Sequence, residues 1–288
     1  DTLPEKRGKR GLPLNGSKRL LSATSNQATG LGEYCRDFLF DPQSVSTATF
    51  ELIERFHLDS VGCAISAIHH RANACTVLRR EALQTIPAAQ HSGGICFGDQ
   101  TLVETARSVA ANVAAVREWD SNGTNFGFDK QADRTAGEFG HNDFYPVAMA
   151  ASREAGFDGN GALRMMLLID EIRGRLAEVF PLRMYAIDHV HHGAVASAAA
   201  FTAALGGTVS QIESAIGLVV SHYVPFRAIR AGSQLSDSKG SSAAFAAETA
   251  VLAAYRAING FQGPRDIFRN PLAIYRLNKP CPDGMSPF

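Results

Sequence analysis

Apolar residues recur along most of the chain at helical spacing. Leu102, Ala106, Val109, Val113 and Val116 follow one another at steps of three and four, and this predicts an amphipathic helix ending near Trp119. Gly206-Gly207 suits the end of one helix, and both Thr208 with Gln211 and Ser210 with Glu213 fit a capping box opening the next, through Val220. A further helix starts at Lys239 in SDSKGSSAAF and is closed by Asn259-Gly260 and Gly263-Pro264. Strand signals are few, so residues 47–262 read as one mostly α domain of helices whose Ala, Ser and Gly faces permit close approach. There is no internal repeat and no sustained heptad. The helical pattern breaks for long over 120–141, a polar, glycine-rich connection, and loops of that length inside a domain are usually functional or disordered. The last stretch, NPLAIYRLNKPCPDGMSPF, reads like the start of a linker.

Charge and cysteine content narrow the classes. In 288 residues, 28 Lys and Arg balance 28 Asp and Glu, so no global field draws the chain to nucleic acid or to an anionic membrane. Any anionic ligand must be met locally. The five cysteines (Cys35, Cys63, Cys75, Cys96 and Cys281) are scattered without a CxxC pair, against both a disulfide framework and a zinc knuckle. The most apolar small-residue run, residues 193–207, is shorter than the roughly 20 residues a membrane span requires, so the protein reads as soluble, in the cytoplasm or the mitochondrial matrix. Residues 1–30 are set apart by Lys6, Arg7, Lys9, Arg10, Lys18 and Arg19, a composition shared by organellar presequences and by flexible basic arms.

Four features carry chemistry. They are Asp120 with Thr124, His141 at the far end of the long loop, the cluster Asp188, His189, His191 and His192, and Lys239, a cation at the head of a closely packing helix. His189 and His192 with His141 and Asp188 resemble a metal-ligand set. Histidines at a helix start are more often satisfied by backbone or carboxylate partners, however, and no HExxH-type motif is present, so no metal is expected. Ser236 to Lys239 matches SxxK but lacks the companion motifs of the serine acyl-transferases. Arg227 and Arg230 lie three residues apart just before Lys239, a local concentration of fixed positive charge suited to a substrate with several carboxylates.

The stretches EWDSNGT, AGEFGHNDFYPVAMAAS, IDHVHHGAVASAAAFTAALGGT, YVPFRAIRAGSQLSDSKGSSAAF and GFQGPRDIFRNP, in this order, resemble the helical domain of the MmgE/PrpD family, over residues from about 31 to the end. That family includes 2-methylcitrate dehydratases and cis-aconitate decarboxylases, and FRAIRAGSQLSDSKG and DIFRNPLAIYR are nearer the former.

The resemblance implies an all-α, multi-helix domain over 31–270, a basic segment over 1–30, and at 271–288 the start of a linker to an α/β lid domain not contained in these residues. It implies catalytic roles for Asp120, Thr124, His141, His189 and Lys239, and contacts from Arg227, Arg230 and Lys239 to a tricarboxylate. One departure is Gly123, where many members carry a second aspartate; residues 125–137 also look inserted. The implied reaction is metal-free loss of water from 2-methylcitrate in propionate catabolism, with no cofactor. Such a reaction needs a base for the proton α to a carboxylate, an acid for the leaving hydroxyl, and positive charge on the enolate-like intermediate. Decarboxylation of cis-aconitate and a non-catalytic interaction subunit are the alternatives. A homodimer and a lid supplied by a separate chain are the implied partners.

Overall fold

The computed structural model describes residues 24–40, 45–88, 91–129, 134–230 and 236–277, with backbone alone over 126–138. The basic residues Lys6 to Arg19, the glycine-containing stretch 231–235 and residues 278–288, where the expected linker continues, lie outside that description. Helices dominate: the fold is all-α, with two small antiparallel ribbons among the described residues.

The centre is α7 (Val190–Ala204), all of whose residues are buried. Its sequence explains why a helix can sit there. Alanine costs least to hold helical, and its short side chain lets α1 (Gln27–Phe40), α6 (Gly159–Val179), α8 (Val209–His222) and α9 (Asp237–Ile258) pack around it. Phe144, Phe180, Phe201 and Phe268 fill the space the small residues leave, each contributing about 1.5–3 kcal/mol by burial. At Gly193 the fit is tightest: a Cβ there would lie 2.0 Å from the Phe144 ring. Phe144 ends a short 3₁₀ helix, His141–Phe144, so the absence of one methyl group on α7 positions the segment that carries His141.

Local capping explains the boundaries. Thr208 Oγ1 accepts from the Gln211 N–H (3.2 Å) and Gln211 Oε1 from the Thr208 N–H (2.8 Å), closing the expected box. Ser210 is inside α8, so the alternative box from Ser210 to Glu213 is not the helix start. At its other end α9 stops at Ile258, where the Asn259 N–H donates to the Tyr255 carbonyl and the N–H of Gly260, at φ 90°, donates to the Ala257 carbonyl.

Two expectations are corrected. The helix α4 spans Thr105–Arg117 and is buried on nearly every side rather than amphipathic. Leu102 does not belong to it; with Val103 it forms β2, paired with β1 (Gly94–Ile95), so its backbone bonds go to a ladder and its side chain is left exposed. Likewise the connection 120–141 contains an antiparallel hairpin, β3 (Phe126–Asp129) with β4 (Arg134–Glu138). No described helix is long and apolar enough to cross a membrane. The cysteines among the described residues are free thiols.

Candidate active site

The buried run of α4 ends on Arg117, only 2% exposed, and the chain then turns sharply through Asp120 in the left-handed region at φ 54°. Asp is among the few residues that enter this region at modest cost. The turn delivers the carboxylate to two cations: Arg117 Nη1 donates to Asp120 Oδ1, and Lys239 Nζ donates to Oδ2. Burial pulls the Asp120 pKa up, but the hydrogen bond from Lys239 and the charges of Arg117, Lys239 and Arg230 together outweigh it and hold the carboxyl below its ordinary value. Lys239 stands in the first turn of α9, where the helix dipole favours an anion, so its placement runs against local preference. Asp120 offsets that conflict, and so would an anionic ligand.

Behind this pair lies a network of amides and carboxylates. Asn122 donates to Asn142 Oδ1 (2.7 Å) and to Asp143 Oδ1 (2.6 Å), and Arg117 Nε approaches Asp143 Oδ2 at 3.4 Å. Asn142 in turn donates to the Phe56 carbonyl (2.8 Å) and to Asp59 Oδ2 (3.0 Å), both on α2 (Thr47–His69). His141 is fixed between them. The Thr124 backbone N–H donates to its Nδ1 (3.2 Å) and the Phe56 ring meets it edge-on at 4.1 Å. Because Nδ1 accepts, the imidazole proton sits on Nε2. Burial, followed by the charge of Arg173, lowers the His141 pKa to about 4, so the ring is neutral near pH 7.

His189 caps the start of α7, where Arg173 Nη2 lies 2.9 Å from its Nδ1 and Arg230 Nη2 3.2 Å from its Nε2. Burial first, then the charges of Arg117, Arg230 and Arg227, hold its pKa well below the usual histidine value. Asp188, fully buried, binds Arg230 through both oxygens, with Nη2 to Oδ1 at 3.2 Å. Arg227 is half-buried one 3₁₀ turn away and acts on His189 through its charge.

The residues named from sequence therefore fall into two linked groups, Asp120 with Lys239 and His189 with Arg230, coupled through Arg117, whose charge acts on both Asp120 and His189. Thr124 joins His141 through its backbone rather than its hydroxyl. The other two histidines turn into the core. His191 bonds the Tyr223 carbonyl (2.8 Å) and the Tyr275 hydroxyl (3.2 Å), and His192 Nε2 donates to the Phe180 carbonyl (2.8 Å). Among the described residues no group of three or more His, Cys, Asp or Glu side chains is arranged to hold a metal ion. Cationic side chains, Arg117, Arg173, Arg227, Arg230 and Lys239, are what the site offers an anion.

A comparison with protein-family models matches residues 31–278 to the MmgE/PrpD N-terminal domain. The chain belongs to the MmgE/PrpD family. Most of that family are hydro-lyases, so membership supports an enzyme of the dehydratase or lyase type. A comparison with curated proteins returns no match. Sequence reading missed the buried frame of the site: Arg117, Arg173, Asp143, Asn122 and Asn142. A signal for both arginines was present. Arg173 falls four residues after Ile169 and three before Leu176, and Arg117 continues the series Ala110, Ala114, so both occupy core positions of apolar helices, where a charge is rarely placed without a partner.

Proposed function

We propose that the chain carries the tricarboxylate site of a 2-methylcitrate dehydratase. The observation that supports this best is the ionised Asp120 held beside Lys239 amid buried arginines and two neutral histidines. A tricarboxylate bears about three negative charges near neutral pH and must leave water to bind, which requires matching cations. Lys239, Arg230 and Arg227 supply them at the rim, and Arg117 and Arg173 from behind.

In this reading Asp120, kept ionised, accepts the proton α to a carboxylate when it is freed from Lys239 by the arriving anion. Lys239 then faces the enolate-like oxygen, and its fixed positive charge lowers the energy of that intermediate. His141, with its proton on Nε2, donates to the leaving hydroxyl; the C–O bond breaks and the hydroxide leaves as water. The imidazolate left on His141 takes back, by way of solvent, the proton that Asp120 accepted, and both groups are restored. The balance is one substrate giving one unsaturated tricarboxylate and one water.

The test is turnover of 2-methylcitrate by the full-length protein after exhaustive EDTA treatment, followed by ultraviolet absorbance of the unsaturated product. Metal-independent formation of 2-methyl-aconitate is expected. Activity that vanishes and returns only with iron or zinc overturns the metal-free reaction. Release of CO₂ from cis-aconitate, with 2-methylcitrate untouched, assigns the site to decarboxylation instead.

A further inference from the structure

The two faces of α2 differ in what they meet. On the inner face Ile53, Ser60, Ala64 and Ala67 are buried, and the Phe56 carbonyl and Asp59 hold Asn142. On the outer face Leu58 is 72% exposed and Ile65 58%, with Leu52 exposed as well. Gly62 stands between Leu58 and Ile65, and a Cβ built on it would meet nothing within 4 Å. Glycine weakens a helix interior relative to alanine, and no packing among the described residues requires it here.

This outer face is ordered in shape and in charge. Glu51, Glu54, Arg55 and Leu58 line a shallow depression, and their spacing is that of the four corners of a hole that receives a side chain from a facing helix. Two turns on, Leu58, Val61, Gly62 and Ile65 repeat the spacing. Glu51 and Glu54 are exposed at the N-terminal end of the face, where Arg55 lies 3.9 Å from Glu51, and His69 and Arg71 are exposed at the C-terminal end. The helix is therefore complementary to itself when reversed. With a two-fold axis between residues 61 and 62, Leu58 of one copy lies opposite Ile65 of the other, and Glu54 opposite His69. His69 enters the depression beside Glu51 and Glu54, Leu52 meets the stem of Arg71, and glycine at the axis lets the two backbones approach.

We propose that the outer face of α2 is an interface for a second copy of this chain, docked antiparallel about Gly62. Charge selects that occupant and that direction. A parallel pairing sets Glu54 against Glu54 and His69 against His69. A basic segment such as Lys6 to Arg19 complements Glu51 and Glu54 alone and offers nothing to Leu58 and Ile65. The proposal is independent of the reaction assigned above.

Sedimentation velocity of the full-length protein over a concentration series reads the association. A dimer is expected, and Leu58→Glu is expected to weaken it by about a hundredfold or more, because two-fold symmetry places the new charge in the contact twice. Glu54→Arg should weaken it about tenfold, and adding His69→Glu should restore it, since the pair is then reversed rather than broken. Cross-linking reads the register. Leu58→Cys combined with Ile65→Cys should give a covalent dimer on mild oxidation, whereas Leu58→Cys alone should not, its two copies standing about 10 Å apart along the helices. The substituted positions are exposed, so the urea midpoint of each variant should match the wild type. A protein monomeric at every concentration overturns the proposal. So does a dimer that a folded Leu58→Glu leaves intact, since it then uses another surface. A dimer that the charge reversal does not restore, or that the paired cysteines do not cross-link, overturns it too, and these two measurements decide the matter if Leu58→Glu fails to fold.

Discussion

Replacing His192 by Gln should change how stability depends on pH more informatively than how large it is at any one pH. His192 is fully buried in α7, its Nε2–H donates to the Phe180 carbonyl at 2.8 Å, and its Nδ1 is buried with no hydrogen-bond partner. Burial, then the charge effect of His191, lowers its pKa to about 3. In the unfolded chain the same ring titrates near 6.5. As pH falls below 6.5 the unfolded state takes up a proton that the folded state refuses, so stability is present above that value and is lost progressively down to the folded pKa. Between pH 7 and pH 5 the linkage removes about 2 kcal/mol, and glutamine, which can still donate to Phe180, contributes no such slope. Urea denaturation of wild type and variant at both pH values isolates the effect, because groups common to the two cancel in the difference. The gap between wild type and His192→Gln is expected to move against the wild type by about 2 kcal/mol on acidification. A gap independent of pH would show that the ring is charged, or solvated, in the folded protein.

Three further outcomes are expected. Lys239→Met should lower turnover of the full-length protein by about a hundredfold or more with little change in melting temperature, since it removes one preorganised charge; near-normal turnover would reject its assignment. Gly193→Ala should destabilise by about 1–3 kcal/mol or more, because the added methyl must displace the Phe144 ring, and an unchanged urea midpoint would contradict the packing described. Asp170, whose carboxyl is pushed up to about 8 by burial while Tyr145 donates to it at 2.7 Å, should make the wild type lose ground to Asp170→Asn as pH rises from about 4 through 8, and a gap that narrows would reverse the sign.

What the chain reveals before folding is what its local chemistry decides. The capping box at Thr208 and the turn at Asn259-Gly260 involve groups within a few residues of one another, so the start of α8 and the stop of α9 were legible. Leu102 was misplaced because helical spacing continues past the point where the backbone of Leu102 and Val103 finds a strand partner. The chemical types of the site were legible too, as isolated charges beside apolar helices. Their pairing was not: Lys239 meets Asp120 across 119 residues of sequence, and the buried arginines that set the charge of the whole site sit in helices whose pattern reads as plain core.

Gly123 joins the two levels. Beside the family pattern it is a missing aspartate, yet in the structure it occupies φ 72°, a Cβ there would stand 2.7 Å from Asn142 Oδ1 and 2.9 Å from His141 Nδ1, and its N–H donates to Asp59 Oδ2 at 2.7 Å. A side chain would therefore meet strain, a crowded imidazole and a nearby carboxylate together. Gly123→Ala should cost roughly 1–2 kcal/mol from the left-handed backbone alone. Gly123→Asp should cost more, by adding repulsion from Asp59, and should displace the Thr124 N–H from His141 Nδ1, so that the ring no longer holds its proton on Nε2. Urea midpoints measure the first effect, and the ¹⁵N shifts of His141 the second. If Gly123→Asp matched the wild type in stability and left the His141 tautomer unchanged, the turn would have room for the aspartate, and the ordering of His141 by the Thr124 backbone would have to be abandoned.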